Sequence, residues 1–335
     1  MNRSYLSASF AIVLLALTAT ALRAEENKAT LPAQPAATVP QVGDKTPNAQ
    51  PLDPMPLAER TARAESGDPA AENSLGYHYA FGVGVKHDDK EALKWLTASA
   101  SSGFAPAQVN LAYLYEKGRA GKVDLTQAFR WYRAAAEQGD AAAQYKFGDM
   151  YELALGVKRD YLEAAHWYRK AAEQGNANAQ NNLGTLYHQG LGVQRDYAQA
   201  LYWYSKAAAQ GLAEAESNLG VLYEKGLGVE KDYPKALAWY TTAAKHGARR
   251  AQYNLGMLYF IGRGVPLDYV SACTWLRRSA AAGDPIAAQS LKTLAGIMTP
   301  HQKLLVLAQL ANPQDAGTST AQEQSHFISG GIENQ

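Results

Sequence analysis

The sequence predicts an all-α solenoid of stacked helix-turn-helix units, and three recurrences predict it. All six tryptophans, Trp95, Trp131, Trp167, Trp203, Trp239 and Trp275, follow one another at 36 residues. A tyrosine stands sixteen residues before each of them, from Tyr79 to Tyr259, and a glycine eight residues after, from Gly103 to Gly283. An aspartate stands seven residues before each: Asp88, Asp124, Asp160, Asp196, Asp232 and Asp268. A fixed period of this length marks a supersecondary unit that buries its apolar face only against neighbouring copies.

The fourth copy shows how one unit is read. Ala179, Leu183, Leu186 and Tyr187 fall at i, i+4, i+7 and i+8, one apolar stripe of an α-helix. Gly190 and Gly192 then break the helix with a tight loop, because glycine tolerates backbone angles that other residues resist. The second helix is predicted to start at the aspartate, whose side chain accepts from the open amides of the first turn. Glu91, Gln127, Glu163 and Gln199, three residues on, suggest a reciprocal capping box in the first four copies. Lys235 and Ser271 occupy that slot in the last two copies, and Pro234 sits in a first turn, where its missing amide costs least. The glycine after each tryptophan fits a left-handed helix end. The second copy departs most, with Ala112 at the mid-helix glycine slot and Arg119, Ala120 and Gly121 in its loop. The tryptophans themselves are assigned to the core.

This divides the chain into repeats 68–103, 104–139, 140–175, 176–211, 212–247 and 248–283. A half repeat at 57–67, marked by Ala64 and Gly67, precedes them. A partial repeat and cap at 284–311 follows, in which Ala287 and Leu291 keep the period and His301–Ala311 is amphipathic.

The flanks read differently. Arg3, the apolar run Phe10–Leu17 and small residues up to Ala21 or Ala24 read as a secretory signal peptide over 1–24, cleaved after one of those alanines. The apolar run is short for a membrane span, so the cleaved chain is expected to be periplasmic or secreted with no span. Residues 25–56 and 312–335 lack apolar periodicity and read as disordered tethers.

The chemistry-bearing residues are sparse. With 32 basic and 31 acidic residues the formal charge is +1, which gives no overall footprint for nucleic acid or an anionic membrane. The seven histidines lack metal-ligand spacing, the Gly-x-Gly loops lack the rest of a phosphate-binding motif, and no cofactor is implied. The single cysteine, Cys273, occupies a slot filled elsewhere by Leu93, Phe129, Ala165, Leu201 and Leu237, so a buried packing thiol is expected. No catalytic constellation survives, and the chain is read as a non-enzyme.

The run Ala179, Gln180, Leu183, Gly184, Tyr187, Gly190, Gly192, Val193, Asp196, Tyr197, Ala200, Trp203, Tyr204, Ala207, Ala208 and Gly211 resembles the Sel1-like repeat, a relative of the tetratricopeptide repeat. That resemblance implies a right-handed superhelix whose first helices line a concave face, and a role as an adaptor for protein or extended-peptide partners. Exported relatives are associated with envelope signalling, polysaccharide export or host engagement, which makes a secreted factor binding host proteins the alternative. Some secreted members carry a disulfide in every repeat and are linked to β-lactams. One cysteine cannot build that framework.

The resemblance also points the residue before the leucine-glycine pair into the groove. Asn110, Asn182, Asn218 and Asn254 occupy that position, and their amides could grip a peptide backbone or tie neighbouring helices together. The adjacent slots vary from copy to copy, as in Tyr145, Asp149, Tyr253 and Met257, which suits partner-specific contacts.

Overall fold

The computed structural model describes residues 55–311, and the signal-peptide, linker and tail readings lie outside them. Among the described residues there are fifteen helices and no strands. A lone helix α1 (Leu57–Glu65) leads into six hairpins, each with a first and a second helix. The pairs are α2 (Pro69–Phe81) with α3 (Asp89–Ser101), α4 (Ala105–Glu116) with α5 (Leu125–Glu137), and α6 (Ala141–Leu153) with α7 (Tyr161–Glu173). They continue with α8 (Ala177–Gln189) and α9 (Tyr197–Ala208), α10 (Ala213–Lys225) and α11 (Tyr233–Lys245), and α12 (Arg249–Ile261) and α13 (Tyr269–Ala281). Then α14 (Pro285–Ile297) and α15 (Pro300–Ala311) close the stack.

From α1 to α14 each helix packs on the next, and within the six repeats first helices also touch one another directly, as in α2 with α4 and α10 with α12. The first helices therefore run along the inside of the curve. The core is a chain of interlocking clusters rather than one centre. Leu183, Leu186 and Trp203 of the fourth repeat, for example, close over Tyr168, Ala171 and Ala172 of the third. Trp167, Trp203 and Trp275 are buried, whereas Trp95, Trp131 and Trp239 are half-buried. The deepest large side chains are the residues one step later, Tyr132, Tyr168, Tyr204 and Tyr240.

All six aspartates accept from first-turn amides; Asp196, for instance, accepts from Ala198 N at 2.9 Å and Gln199 N at 3.0 Å. The reciprocal half of the expected capping box is absent. The amide of each aspartate donates instead to the carbonyl of the recurring tyrosine of the first helix, as from Asp196 N to Tyr187 O at 3.0 Å. With that donor already satisfied, the glutamate three residues on is released: Glu91 accepts from Trp95 Nε1 at 3.0 Å. The hairpin is thus closed from both sides of the aspartate.

A glutamine seam joins the repeats. Gln180 donates to Ala172 O at 3.0 Å, and Gln210 donates to Gln180 Oε1 at 2.8 Å and to Gly175 O at 3.0 Å. Gln144 with Gln174, and Gln108 with Gln138, repeat the bond at 2.8 Å. At the fifth repeat the pair becomes buried Glu216 with His246, whose Nδ1 lies 2.9 Å from the carboxylate.

Two departures from the pattern are instructive. Ala154 ends α6 at φ 59°, the sole left-handed non-glycine residue among those described, where the other copies place glycine. Cβ crowding makes that conformation cost about 1 kcal/mol or more. Ala154→Gly is therefore expected to raise stability by about 1 kcal/mol, read as a higher urea midpoint with an unchanged slope.

The second departure is Lys292. A Cβ on Gly184 would sit 2.8 Å from the Tyr204 ring, so a second helix can dock only over glycine or with some adjustment. Lys292, three periods on, is exposed on α14. The last helix accordingly lies against α13 and not in the regular position over α14, burying Val306 and leaving Leu304, Leu305 and Leu307 exposed.

Candidate functional site

The first helices carry side chains that differ from copy to copy, among them Tyr145, Asp149 and His188. The four asparagines are already engaged there. Asn110 is buried and donates to Asn73 Oδ1 at 2.9 Å, so it does not reach the groove surface. Asn218 donates to Asn181 Oδ1 at 2.9 Å, and Asn182 to Asp149 Oδ1 at 3.3 Å. Asn254 bonds the Tyr240 hydroxyl. Each amide is tied to the preceding repeat, while Asn182, Asn218 and Asn254 remain half-buried with hydrogen-bonding capacity left over.

Asp149 is the centre of a polar cluster at the third repeat. The Tyr168 hydroxyl lies 2.7 Å from Asp149 Oδ1 and 2.6 Å from Glu152 Oε2. A phenol has one proton to donate, so the two carboxyl groups compete for it. Burial pushes the Asp149 carboxyl up to about 6, against the opposing pull of Lys146 and the Tyr168 hydrogen bond. Burial raises Glu152 as well. Tyr145 bonds Asp149 and stacks near Tyr168 with ring centroids 6.0 Å apart.

The fourth repeat presents His188 at the corresponding depth. Its ring stands 5.6 Å from that of Tyr197 and 6.4 Å from that of Tyr204. Burial, with Arg250, Lys225 and Arg195 nearby, lowers its pKa to about 4, so it is neutral at physiological pH. Tyr253 and Met257, both half-buried on α12, pack beside the cluster of Ala272, Leu276 and Val306.

Sequence reasoning placed Asp149, Tyr145, Tyr253 and Met257 on this face but missed Glu152, Tyr168 and His188. The signal was present in the slot after each recurring tyrosine, which reads Ala80, Glu116, Glu152, His188, Glu224 and Phe260. Cys273 is buried, and burial raises its thiol above the usual range, as an unreactive cysteine requires. Among the described residues no group of three potential ligands could hold a metal ion, and no helix is long and apolar enough to cross a membrane.

A stack of hairpins built on one repeated frame of caps, loop glycines and buried aromatics defines a helical-repeat scaffold. The Sel1 repeat model matches residues 69–104, 105–140, 141–176, 177–212, 213–247 and 249–284. The chain belongs to the Sel1 repeat family, a generally non-catalytic scaffold whose repeats typically bind proteins.

Solved structures similar to it include two Sel1-type repeat proteins. A protective antigen of uropathogenic Escherichia coli strains, displaying the same repeat fold, is 35% identical over 83% of this chain and 60% of that one, with a TM-score of 0.67. A Sel1 repeat protein from Oxalobacter formigenes is 36% identical over 67% of this chain and 88% of its own, with a TM-score of 0.60. The chain thus spans well under the full length of the first. No match was found among curated proteins.

Proposed function

We propose that the chain is an exported adaptor, holding a protein partner along the concave face in the bacterial cell envelope and thereby serving signalling or polysaccharide export. The observation that supports this reading is the set of first-helix side chains, Tyr145, Asp149, His188, Tyr253 and Met257, that differ from their counterparts in the other copies within a repeated frame. Export rests on the leader-like segment ending near Ala21 or Ala24.

The test is a photo-crosslinking side chain placed at Tyr253 or Met257 in living cells, with the exposed Tyr202 of α9 as the outward control. Capture of one defined protein from the inner positions and not from Tyr202 is expected. Equal capture from both faces, or none, refutes the adaptor reading.

A second reading, a secreted factor acting on host proteins, draws support from the description of the E. coli relative as a protective antigen. Retention in the periplasm on fractionation favours the first reading, and recovery from the culture medium the second.

A further inference from the structure

The two ends of the stack are finished differently. At the amino-terminal end α1 exposes Glu59, Arg63 and Glu65, and Leu57 is its one exposed large apolar side chain. Arg63 also donates to Asp68 Oδ2 at 2.9 Å, which ties α1 to the start of α2. The other end has no such finish. Of the twelve large apolar side chains exposed among the described residues, seven lie between Ile261 and Leu307, so exposed apolar surface is gathered here.

The outermost helix of a solenoid needs a polar outer face, because no further repeat stacks on it. In α15 the apolar residues face outward instead. Val306 points inward, into the cluster of Leu276, Leu294 and Met298. Leu304 at 64% exposure and Leu307 at 59%, with exposed Leu305 and Ala308, lie on the opposite side of the helix. A helix of 12 residues is marginal alone in water, and one valine anchors it thinly. Ile297, at the end of α14, adds to the uncovered surface.

Three occupants can be compared by their chemistry. The chain's own continuation, Asn312 to Gln335, offers Phe327, Ile328 and Ile332 as its large apolar residues. The first of these stands 16 residues beyond Ala311, with Asp315 and Glu323 in between, so it matches the leucines poorly. The α1 end of another copy would bury Glu59 and Glu65 against them, a costly desolvation without partners.

A second α15 fits. Apolar face meets apolar face, and no carboxylate occurs from Pro285 to Ala311 to be buried. Antiparallel pairing also opposes the two helix dipoles. It brings His301 and Lys303, near the amino-terminal end of each helix, to the carbonyl end of the other.

We propose that two copies of this chain pair through α15, antiparallel about a twofold axis, with Leu304, Leu307 and Ala308 at the centre of the contact and Leu305 at its edge. Each copy presents the same patch to the other, so the assembly closes at two. The pairing uses no first-helix side chain of the six repeats and does not depend on the adaptor reading.

Sedimentation velocity of the purified full chain, from about 1 to about 100 µM, tests it. The parent chain is expected to be dimeric at the upper end. Leu304→Glu with Leu307→Glu is expected to weaken association at least about a hundredfold and leave monomer throughout. Leu162→Glu, at a leucine 65% exposed on α7, is expected to stay dimeric. Circular dichroism checks that each variant stays folded. Under mild oxidation Ala308→Cys is expected to yield a disulfide-linked dimer and Leu162→Cys none, the native Cys273 being buried.

A parent chain that is monomeric across this range overturns the proposal, as do dimers indifferent to the double substitution. Dimers that fail to crosslink through Ala308→Cys place the contact elsewhere and overturn it too. Assemblies that grow beyond two would show a head-to-tail contact instead. A chain that pairs only when it ends after Ala311 would assign the leucines to its own continuation, again overturning the pairing.

Discussion

Gly192→Ala is expected to cost about 3 kcal/mol, adding the strain of a left-handed non-glycine residue to an overpacked junction. Gly192 has φ +65°, and a Cβ there would overlap the carbonyl of Tyr161, the first residue of α7 in the preceding repeat. Backbone, unlike a flexible side-chain tip, cannot swing aside. Gly228 repeats the contact, its added Cβ lying 2.7 Å from the Tyr197 carbonyl carbon.

Gly211 supplies the control, with φ +79° and no heavy atom within 4 Å of an added Cβ. Gly211→Ala incurs backbone strain alone and is expected to cost about 1 kcal/mol. Because stability in a repeat array is a sum of unit and interface terms, Gly192→Ala is also expected to split urea unfolding into two steps at the third–fourth junction. Equal losses in the two variants, with a single step in both, would show that close approach of the loop to α7 does not hold the stack together.

Acidification from pH 7 to pH 5 is expected to change stability in opposite directions at two sites one repeat apart. Asp149 has its folded pKa raised to about 6 from 3.8, so its contribution is present at low pH and lost as pH rises through 6. Moving from pH 7 to pH 5 recovers roughly 1–2 kcal/mol at 1.36 kcal/mol per unit. His188 behaves in the reverse sense. Its folded pKa of about 4 lies below 6.5, so protonation of the unfolded chain draws stability away as pH falls below 6.5. That loss is roughly 2 kcal/mol by pH 5.

The two terms nearly cancel in the parent chain. Asp149→Asn should expose the histidine, lowering the melting temperature between pH 7 and pH 5. His188→Gln should expose the aspartate and raise it over the same interval. Parallel pH profiles for the two variants would rule out this pair of opposed titrations.

Much of the fold was legible because one residue in each slot answers to one structural demand repeated six times. The aspartate caps, the loop glycines and the tryptophans could be read directly from the 36-residue recurrence. The glutamine seam was equally periodic at Gln108, Gln144, Gln180 and Gln252. Its partner, however, stands in the next repeat, and a single-unit reading does not show it. The amide of Asp196 went to a backbone carbonyl, and backbone acceptors leave no mark on residue identity.

The inner face was the least legible part. The cluster of Asp149, Glu152 and Tyr168 draws its side chains from two helices, and the spacing within one helix does not show it. Likewise, whether Asn110 faces a groove or a neighbouring helix depends on how tightly adjoining hairpins press together, which spacing alone does not fix.

Lys292 gives the rod a terminus that it cannot lose by accident. A seventh regular second helix, whether from this chain or from a neighbouring molecule, would have to seat a bulky side chain where the lysine stands. Stacked hairpins otherwise offer the same adhesive surface at every level, the geometry from which endless fibres grow. One charged residue at the final rung therefore makes the last level unlike every level before it, so the array does not repeat past α14.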